Sequence, residues 1–466
     1  MNERLAVWLY GTKMGELSCT PRGRFEFIWH PDAARRWGTG SYPLSLSLPL
    51  YPDIPANPAA AESFFARLLP EGHILTQLEL EVGVARGDTL GLLSKIGAEC
   101  AGAISVINLD EAPPADEPAQ MQKLIPGELD EMVRQVPVDP FGFRRHRGRR
   151  SLAGFQGKLL LCKDEQGSWA VPLGNTPSAY ILKPDLLREG SASDEAYCLS
   201  LANRLGLTSI QPELFTTQDG IQVLAVNRYD RYINNGLACR LHQEDTAQAL
   251  VTAIIGDTRY EGTGGRSLRE VAAVVRDHCL PDDLPKLLRY TTFNVAIGNA
   301  DAHSRNLSVI MPPEGSPRLA PLYDVGCTVL RPVFGNTAAM FVNGQRDITQ
   351  ITGSDLVAEA SSWGIPRTEA SDIVANALAE LGEILVRPKK SSRQTHATYN
   401  LIVRRCRALK PNSVPDIFTM IMPRGIPEAH PSASARCVGT LTRGVPCSYR
   451  ALPDSAYCGI HKKNYR

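Results

Sequence analysis

Long apolar runs are missing from this sequence, and no stretch approaches the roughly 18 residues that a membrane-spanning helix needs. An excess of either charge is missing too. The 50 Lys and Arg against 49 Asp and Glu leave a formal net charge of +1. That argues against a surface built throughout to coat a polyanion, while local basic patches remain open. Paired cysteines are scarce. Eight of the 11 cysteines stand singly from Cys19 to Cys406, a pattern that suits reduced thiols in a cytoplasm better than a disulfide framework. The opening MNERLAVWLYG lacks a basic segment followed by a long apolar one, so no signal peptide and a cytoplasmic location are expected. No internal repeat is visible. What is there is an ordinary globular composition, 43% hydrophobic and 21% charged, in 466 residues. That length exceeds one ordinary core, so two or more domains are expected.

Residues 1–107 open with LAVWLYG and close with AGAISVI, both read as strands. Between them, ESFFARLLPEGHILTQLELEVGV has apolar residues at helical spacing, interrupted at Pro70. Residues 108–120, acidic and rich in Pro and Ala, read as an exposed linker. Residues 121–231 offer short strands: KLLLCKD, SAYILKP and IQVLAVNRYD. Residues 232–409 are mostly helical in pattern, through EDTAQALVTAIIG, LREVAAVVRDHC, LPKLLRYTTFNVAIG and EASDIVANALAELGEIL. A strand-rich part followed by a helix-rich part predicts an α+β fold of two lobes. Residues 410–435 are a Pro-punctuated connector, and 436–466 are a basic, cysteine-bearing tail.

The stretch FNVAIGNADAHSRNLSVI, 293–310, packs polar groups between two apolar anchors. Asp301 and Asn306 stand five apart, the spacing of a phosphoryl-transfer loop in which Asp orients the attacking hydroxyl and Asn holds a metal. A solvated turn explains the same residues. Asp324 follows the apolar RLAPLY, where a carboxylate can chelate Mg²⁺ with Asn306 or simply start a turn. Lys183 ends the apolar run SAYILK. In a strand buried on both faces its ammonium needs an anion, either phosphate or a helix carboxylate. SDEAYCLSLANRLGL supplies such a helix, with Ser193 as its expected cap and Glu195 in its first turn. Gly154 and Gly157 flank a turn before a strand, where a backbone can approach phosphate. VLAVNRYDR reads as a hinge strand for adenine, with Tyr229 beside the ring. Each part is weak alone, but their order is that of a protein kinase.

These parts coincide with a named family. The sequence resembles the HipA family of bacterial serine/threonine kinases, toxins of type II toxin–antitoxin pairs. The matching segments are LLPEG (68–72), GAECAGAISV (97–106), SLAGFQGKLLL (151–161), YILKP (180–184), LAVNRYDR (224–231), HQED (242–245), GNADAHSRNLSV (298–309) and LAPLYDV (319–325). The resemblance implies a two-lobed kinase fold of HipA type with the amino-terminal domain fused to it. It implies Asp301 as catalytic base, and Asn306 and Asp324 as Mg²⁺ ligands. ATP contacts would come from Ser151, Gly154, Gln156, Lys158, Lys183, Glu195, Asn227, Tyr229, His303 and Arg305. His303 is read as orienting the loop rather than accepting protons. Ser151 matches a serine that such kinases autophosphorylate, which would set negative charge where ATP phosphates belong.

The implied partners are a small helix-turn-helix antitoxin (HipB-like), operator DNA reached through it, and a protein substrate such as an aminoacyl-tRNA synthetase. The implied location is the bacterial cytoplasm, with no membrane partner. A competing reading is a catalytically weak nucleotide-binding co-repressor. Three departures stand out: Asn227 where a hinge Glu is usual, Phe155 and Gly157 in the phosphate loop, and Arg305 where many relatives have Lys. Arg and Lys are not interchangeable near phosphate.

The tail lies outside that pattern. Cys437, Cys447, Cys458 and His461 are spaced C-x9-C-x10-C-x2-H, and four soft ligands over so short a segment suit a structural Zn²⁺. A segment this small has too little core to fold unaided. A disordered basic tail with idle thiols is the alternative. From Ser432 onward, six Lys and Arg stand against one Asp, a net charge of about +5, which favours nucleic acid or an acidic protein surface as its partner.

Overall fold

Burial marks the first element. In β1 (Arg4–Leu9) Leu5, Val7 and Leu9 share one fully buried face, and on the other face Ala6 is buried and Trp8 half-buried, so the strand is covered on both sides. The computed structural model of the chain describes residues 4–111, 120–142, 156–186, 190–234, 237–252, 258–331, 333–385 and 393–409. All of them fall in one compact unit, Met1–Asp416. The first sheet is antiparallel and adds β2 (Thr12–Cys19), β3 (Phe25–Trp29) and β4 (Ile104–Asn108), in the order β3-β2-β1-β4. Between β3 and β4 run α1 (Pro31–Trp37), α2 (Pro58–Ala66), α3 (Gly72–Val82) and α4 (Thr89–Ile96). Phe27, Phe64, Phe65 and Leu93 fill the space between sheet and helices. At Gly15 an added Cβ would stand 2.3 Å from the Ile28 carbonyl oxygen, so no side chain fits there. Pro70 falls in the break between α2 and α3, as expected. Asn57 starts α2 by accepting from the Ala59 and Ala60 amides at 2.9 and 3.2 Å.

The second sheet carries half of the site. It is built from β5 (Met121–Lys123), β6 (Leu159–Lys163), β7 (Trp169–Pro172), β8 (Tyr180–Pro184), β9 (Pro212–Thr216) and β10 (Gln222–Asn227), in the antiparallel order β5-β7-β6-β8-β10-β9. Helix α5 (Glu128–Gln135) covers it through Met132 and Val133, which meet Leu159, Leu182 and Val223. Helix α6 (Ser191–Arg204) packs beside β9 and β10. A hairpin of β11 (Arg231–Asn234) and β12 (Leu237–Arg240) follows.

The remainder is largely helical. β13 (Gln243–Asp245) pairs with β14 (Ser308–Ile310), which pairs with β15 (Arg318–Leu319). Around this small sheet stand α7 (Thr246–Ala249), α8 (Leu268–His278) and α9 (Asp283–Ile297), then the β16 (Thr337–Val342) and β17 (Gln345–Asp347) hairpin. The last helices are α10 (Gly353–Ser362), α11 (Arg367–Ile384) and α12 (Arg393–Ala408). The buried α9 touches α8, α10, α11 and α12. The helix expected over EDTAQALVTAIIG is shorter among the described residues. Val251 adopts φ +51, off the helical backbone, and the Thr252 carbonyl accepts from Ser63 and Arg67.

One buried ionic cluster ties the first sheet's domain to the end of β10. Arg228 grips Asp230 with two donors at 2.9 and 2.8 Å and reaches Glu99 at 3.2 Å. Arg231 donates to the Cys100 and Gly102 carbonyls, and the Gly102 amide donates to Asp230. These ionic side chains are 1–5% exposed. Removing one member leaves a buried charge unpaired, which costs about 3–5 kcal/mol. Asp230→Ala should therefore lower folding stability by that order. Glu380→Ala, which breaks the half-exposed Arg289–Glu380 pair, should cost under about 1 kcal/mol. Denaturant melts of both variants check the contrast, and equal losses would contradict it.

Candidate functional site

Lys183 stands near the end of β8, where the strand is buried on both faces. Its Nζ donates to Glu195 Oε1 at 2.6 Å and to Asp324 Oδ1 at 2.7 Å. Burial alone would pull the lysine pKa down, but the carboxylates of Asp324 and Glu195 outweigh it and raise the value. Lys183 beside it holds Asp324 down at about 2, so Asp324 is ionised. Burial pushes Glu195 up despite Lys183. Glu195 comes from α6, whose start differs from expectation. Gly190, at φ +81, occupies the cap position, while Ser193 lies inside the helix and Glu195 falls beyond its first turn. The lysine–glutamate pair forms nonetheless, because the helix still turns Glu195 toward β8.

The second half of the site is the turn after α9. The His303 amide donates to the Asp301 carbonyl at 2.8 Å, and the Asn306 amide to the His303 carbonyl at 2.9 Å. Asn306 Nδ2 donates to the same Asp301 carbonyl at 3.1 Å, which leaves its Oδ1 available as a ligand. Asn299 accepts from the Asp301 amide, and Thr328 from the Ala300 amide. Thr246 and Tyr323 donate to the Ser304 and Arg305 carbonyls. The polar residues between the two apolar anchors therefore hold each other and the turn. Asp324 itself sits at φ +55, a backbone that Asp tolerates better than most residues and that marks functional turns.

These elements border one open cavity of about 1730 Å³, including solvent at its mouth. Gln156, Lys158, Lys183, Glu195, Asn227, Tyr229, Asp301, His303, Arg305, Asn306 and Asp324 all line it. Lys158 lies near Lys183, and burial followed by that neighbour lowers its pKa to about 8. Asn306 and Asp324 offer one amide and one ionised carboxylate oxygen, a donor set that Mg²⁺ accepts when phosphate and water complete its shell. Among the described residues, no three His, Cys, Asp or Glu converge as a dedicated metal cage. Ser151 and Gly154 lie outside the described residues, as do Cys437, Cys447, Cys458 and His461.

Several placements were not legible beforehand. Arg305 faces the cavity but is ion-paired with Glu71, from the turn before α3, and approaches Asp245 at 3.9 Å. Asn227 uses Oδ1 to accept the Gln211 amide at 2.7 Å. Tyr229 bonds Gln243 and packs against the Tyr323 ring, centroids 5.5 Å apart. Tyr260, unremarked in the sequence, donates to Asp301 Oδ1 at 2.6 Å. LLPEG carried the signal for Glu71, but RYEGTGG carried none for Tyr260.

Two large sheets, a helical lobe and the cavity they border define a two-lobed α+β protein. A solved structure of the Shewanella oneidensis MR-1 HipA toxin, with HipB and operator DNA, superposes with a TM-score of 0.73 at 24% identity, covering 87% of this chain and 97% of that one. The HipA N-terminal domain model matches residues 5–107, and the HipA-like C-terminal domain model matches 150–384. The chain belongs to the HipA family. It is 30% identical over 395 residues to the putative kinase Y4mE of Sinorhizobium fredii, covering 81% of this chain and 92% of the relative. It is 28% identical over 346 residues to the serine/threonine-protein kinase toxin HipA of Shewanella oneidensis, covering 71% and 77%. Among the described residues no helix is long and apolar enough to cross a membrane.

His303 yields a test of the turn. It is 8% exposed, and burial, then nearby Arg305, drives its pKa down to about 3. The unfolded ring takes up a proton below about 6.5 while the folded one refuses it. Its contribution to stability is therefore complete above that pH and lost as pH falls toward 3. The His303 ring resonances should stay fixed from pH 8 to pH 5, and a midpoint near 6.5 would contradict the buried neutral ring.

Proposed function

We propose that this protein is an ATP- and Mg²⁺-dependent serine/threonine protein kinase, the toxin of a type II toxin–antitoxin pair. The observation that carries the reading is Lys183, held between Glu195 and Asp324 in the cavity that also receives Asp301 and Asn306. Lys183 binds ATP phosphates and stays oriented by Glu195. Asn306 and Asp324 hold Mg²⁺, which when bound neutralises charge on the phosphates. Asp301 accepts the proton of a serine or threonine hydroxyl as its oxygen bonds the γ-phosphorus and ADP leaves. His303, buried and neutral, orients the turn. Asn227 and Tyr229 border the adenine end, with Gln156 and Lys158 near the phosphates.

The Shewanella structure, in which HipA is bound to HipB and operator DNA, supports a HipB-like helix-turn-helix antitoxin as partner here, with operator DNA reached through it. A translation component such as an aminoacyl-tRNA synthetase is the proposed substrate, and Ser151 the proposed site of autophosphorylation. Wild-type protein incubated with labelled ATP and Mg²⁺ should incorporate phosphate, with the Ser151 peptide modified. Asp301→Asn should reduce incorporation by about 10²–10⁴-fold. Equal incorporation in the two proteins, or none in wild type freed of antitoxin, contradicts the kinase.

The tail is proposed to bind one structural Zn²⁺ through Cys437, Cys447, Cys458 and His461. Four protein ligands fill a tetrahedron and leave no position for catalytic water. Elemental analysis should find about one zinc per wild-type chain and a loss in Cys447→Ser. Anaerobically purified wild type without zinc contradicts the site.

A further inference from the structure

Helix α12 begins at Arg393, beyond residue 384, where the match to the HipA-like C-terminal domain ends. It nevertheless reaches each chain segment that carries a carboxylate of the site. The first contact is at Asp194, the neighbour of Glu195 on α6. Asp194 is fully buried, and a buried carboxylate is tolerated only when donors surround it. Its donors come from separate parts of the chain. Thr398 Oγ1 of α12 donates to Oδ1. Oδ2 accepts the Cys327 amide at 2.9 Å and Arg331 Nη2 at 3.1 Å. Cys327 lies just past Asp324, so one carboxylate joins α6, the Asp324 segment and α12. Thr395 Oγ1 adds a contact to Ser193 Oγ at 3.4 Å.

The same helix presses on the turn leading to Asp301. A Cβ built on Gly298 would lie 3.2 Å from Leu401 Cδ2. One turn further along, Arg405 donates to the Val295 carbonyl at 3.4 Å and to the Ile348 and Thr349 carbonyls at 2.7 Å.

We propose that α12 is a brace for the active site and that Thr398, acting through Asp194, is a positioning residue for Glu195 and Asp324. The consequence for turnover rests on the kinase reading above; the brace itself does not. Thr398 does not line the cavity. Its hydroxyl fixes the Asp194 carboxylate, and the carboxylate fixes where α6 and the Cys327 amide stand relative to one another. Lys183 meets Glu195 and Asp324 together only while those two segments keep that spacing.

The test compares Thr398→Val, which keeps the side-chain shape but lacks the donor, with Thr398→Ser, which keeps the donor. Both are made in the full chain. Amide hydrogen exchange at Cys327 and in the first turns of α6 should speed up in Thr398→Val and return to the wild-type rate in Thr398→Ser. Phosphoryl transfer should follow, with kcat falling on the order of tenfold in the valine variant and recovering in the serine variant. Thr398→Ala, which admits a water to Asp194, should change both in the same direction by less, and it stands in if the valine variant does not fold. Unchanged exchange in the variants lacking the donor overturns the brace, and faster exchange with wild-type turnover overturns the positioning role of Thr398. If wild type transfers no phosphate the kinase reading falls, and exchange at Cys327 and α6 still decides whether α12 holds them.

Discussion

A lysine ammonium cannot stay charged inside a protein without anions around it, and Lys183 meets that constraint with Glu195 and Asp324. Satisfying it fixes three pieces of chain at once: β8, α6 and the segment after β15. The sheet-bearing half supplies Lys183 and Glu195 and the helical half supplies Asp324, so the two halves meet at one buried charge. The arrangement also leaves the site poised electrostatically. Asp324 is kept ionised by Lys183, and on the kinase reading proposed above phosphate joins the lysine's partners.

A second ionic cluster does for the amino-terminal domain what Lys183 does for the lobes. Glu99 and the Cys100 and Gly102 backbone close around Arg228, Asp230 and Arg231, next to Asn227 and Tyr229 on the cavity wall. Glu71 brings the same domain to Arg305, in the turn that carries Asp301. The domain is thus built into the site from two sides. Buried networks of this kind hold one arrangement strongly because every alternative strands a charge.

How far the site could be read from the sequence depended on how local each signal was. Asp301 and Asn306 declared themselves by spacing, since both serve a single turn. Lys183 and Glu195 followed from a lysine in an apolar strand and an acid near a helix start, although the cap proved to be Gly190 rather than Ser193. The strand LAVWLYG was legible from apolar alternation, and KLLLCKD and IQVLAVNRYD as short apolar runs. Contacts between distant segments were not. Nothing near Tyr260 announces a donor to Asp301, and nothing in α12 announces that Thr398 will meet Asp194. GAECAGAISV and LAVNRYDR were recognisable as segments, but the reason for their charges appears only when the fold brings Glu99 to Arg228. Helix α7 was overread because periodicity could not foresee the left-handed backbone at Val251.

The most direct test of the central claim is to locate the metal and the nucleotide. A crystal of the full chain with a non-hydrolysable ATP analogue and Mn²⁺ in place of Mg²⁺ permits this by anomalous scattering. The expected result is a metal bonded directly to Asn306 Oδ1 and an Asp324 oxygen, with Lys183 on a phosphate and still paired with Glu195. A metal or nucleotide bound away from Asn306, Asp324 and Lys183 would contradict it.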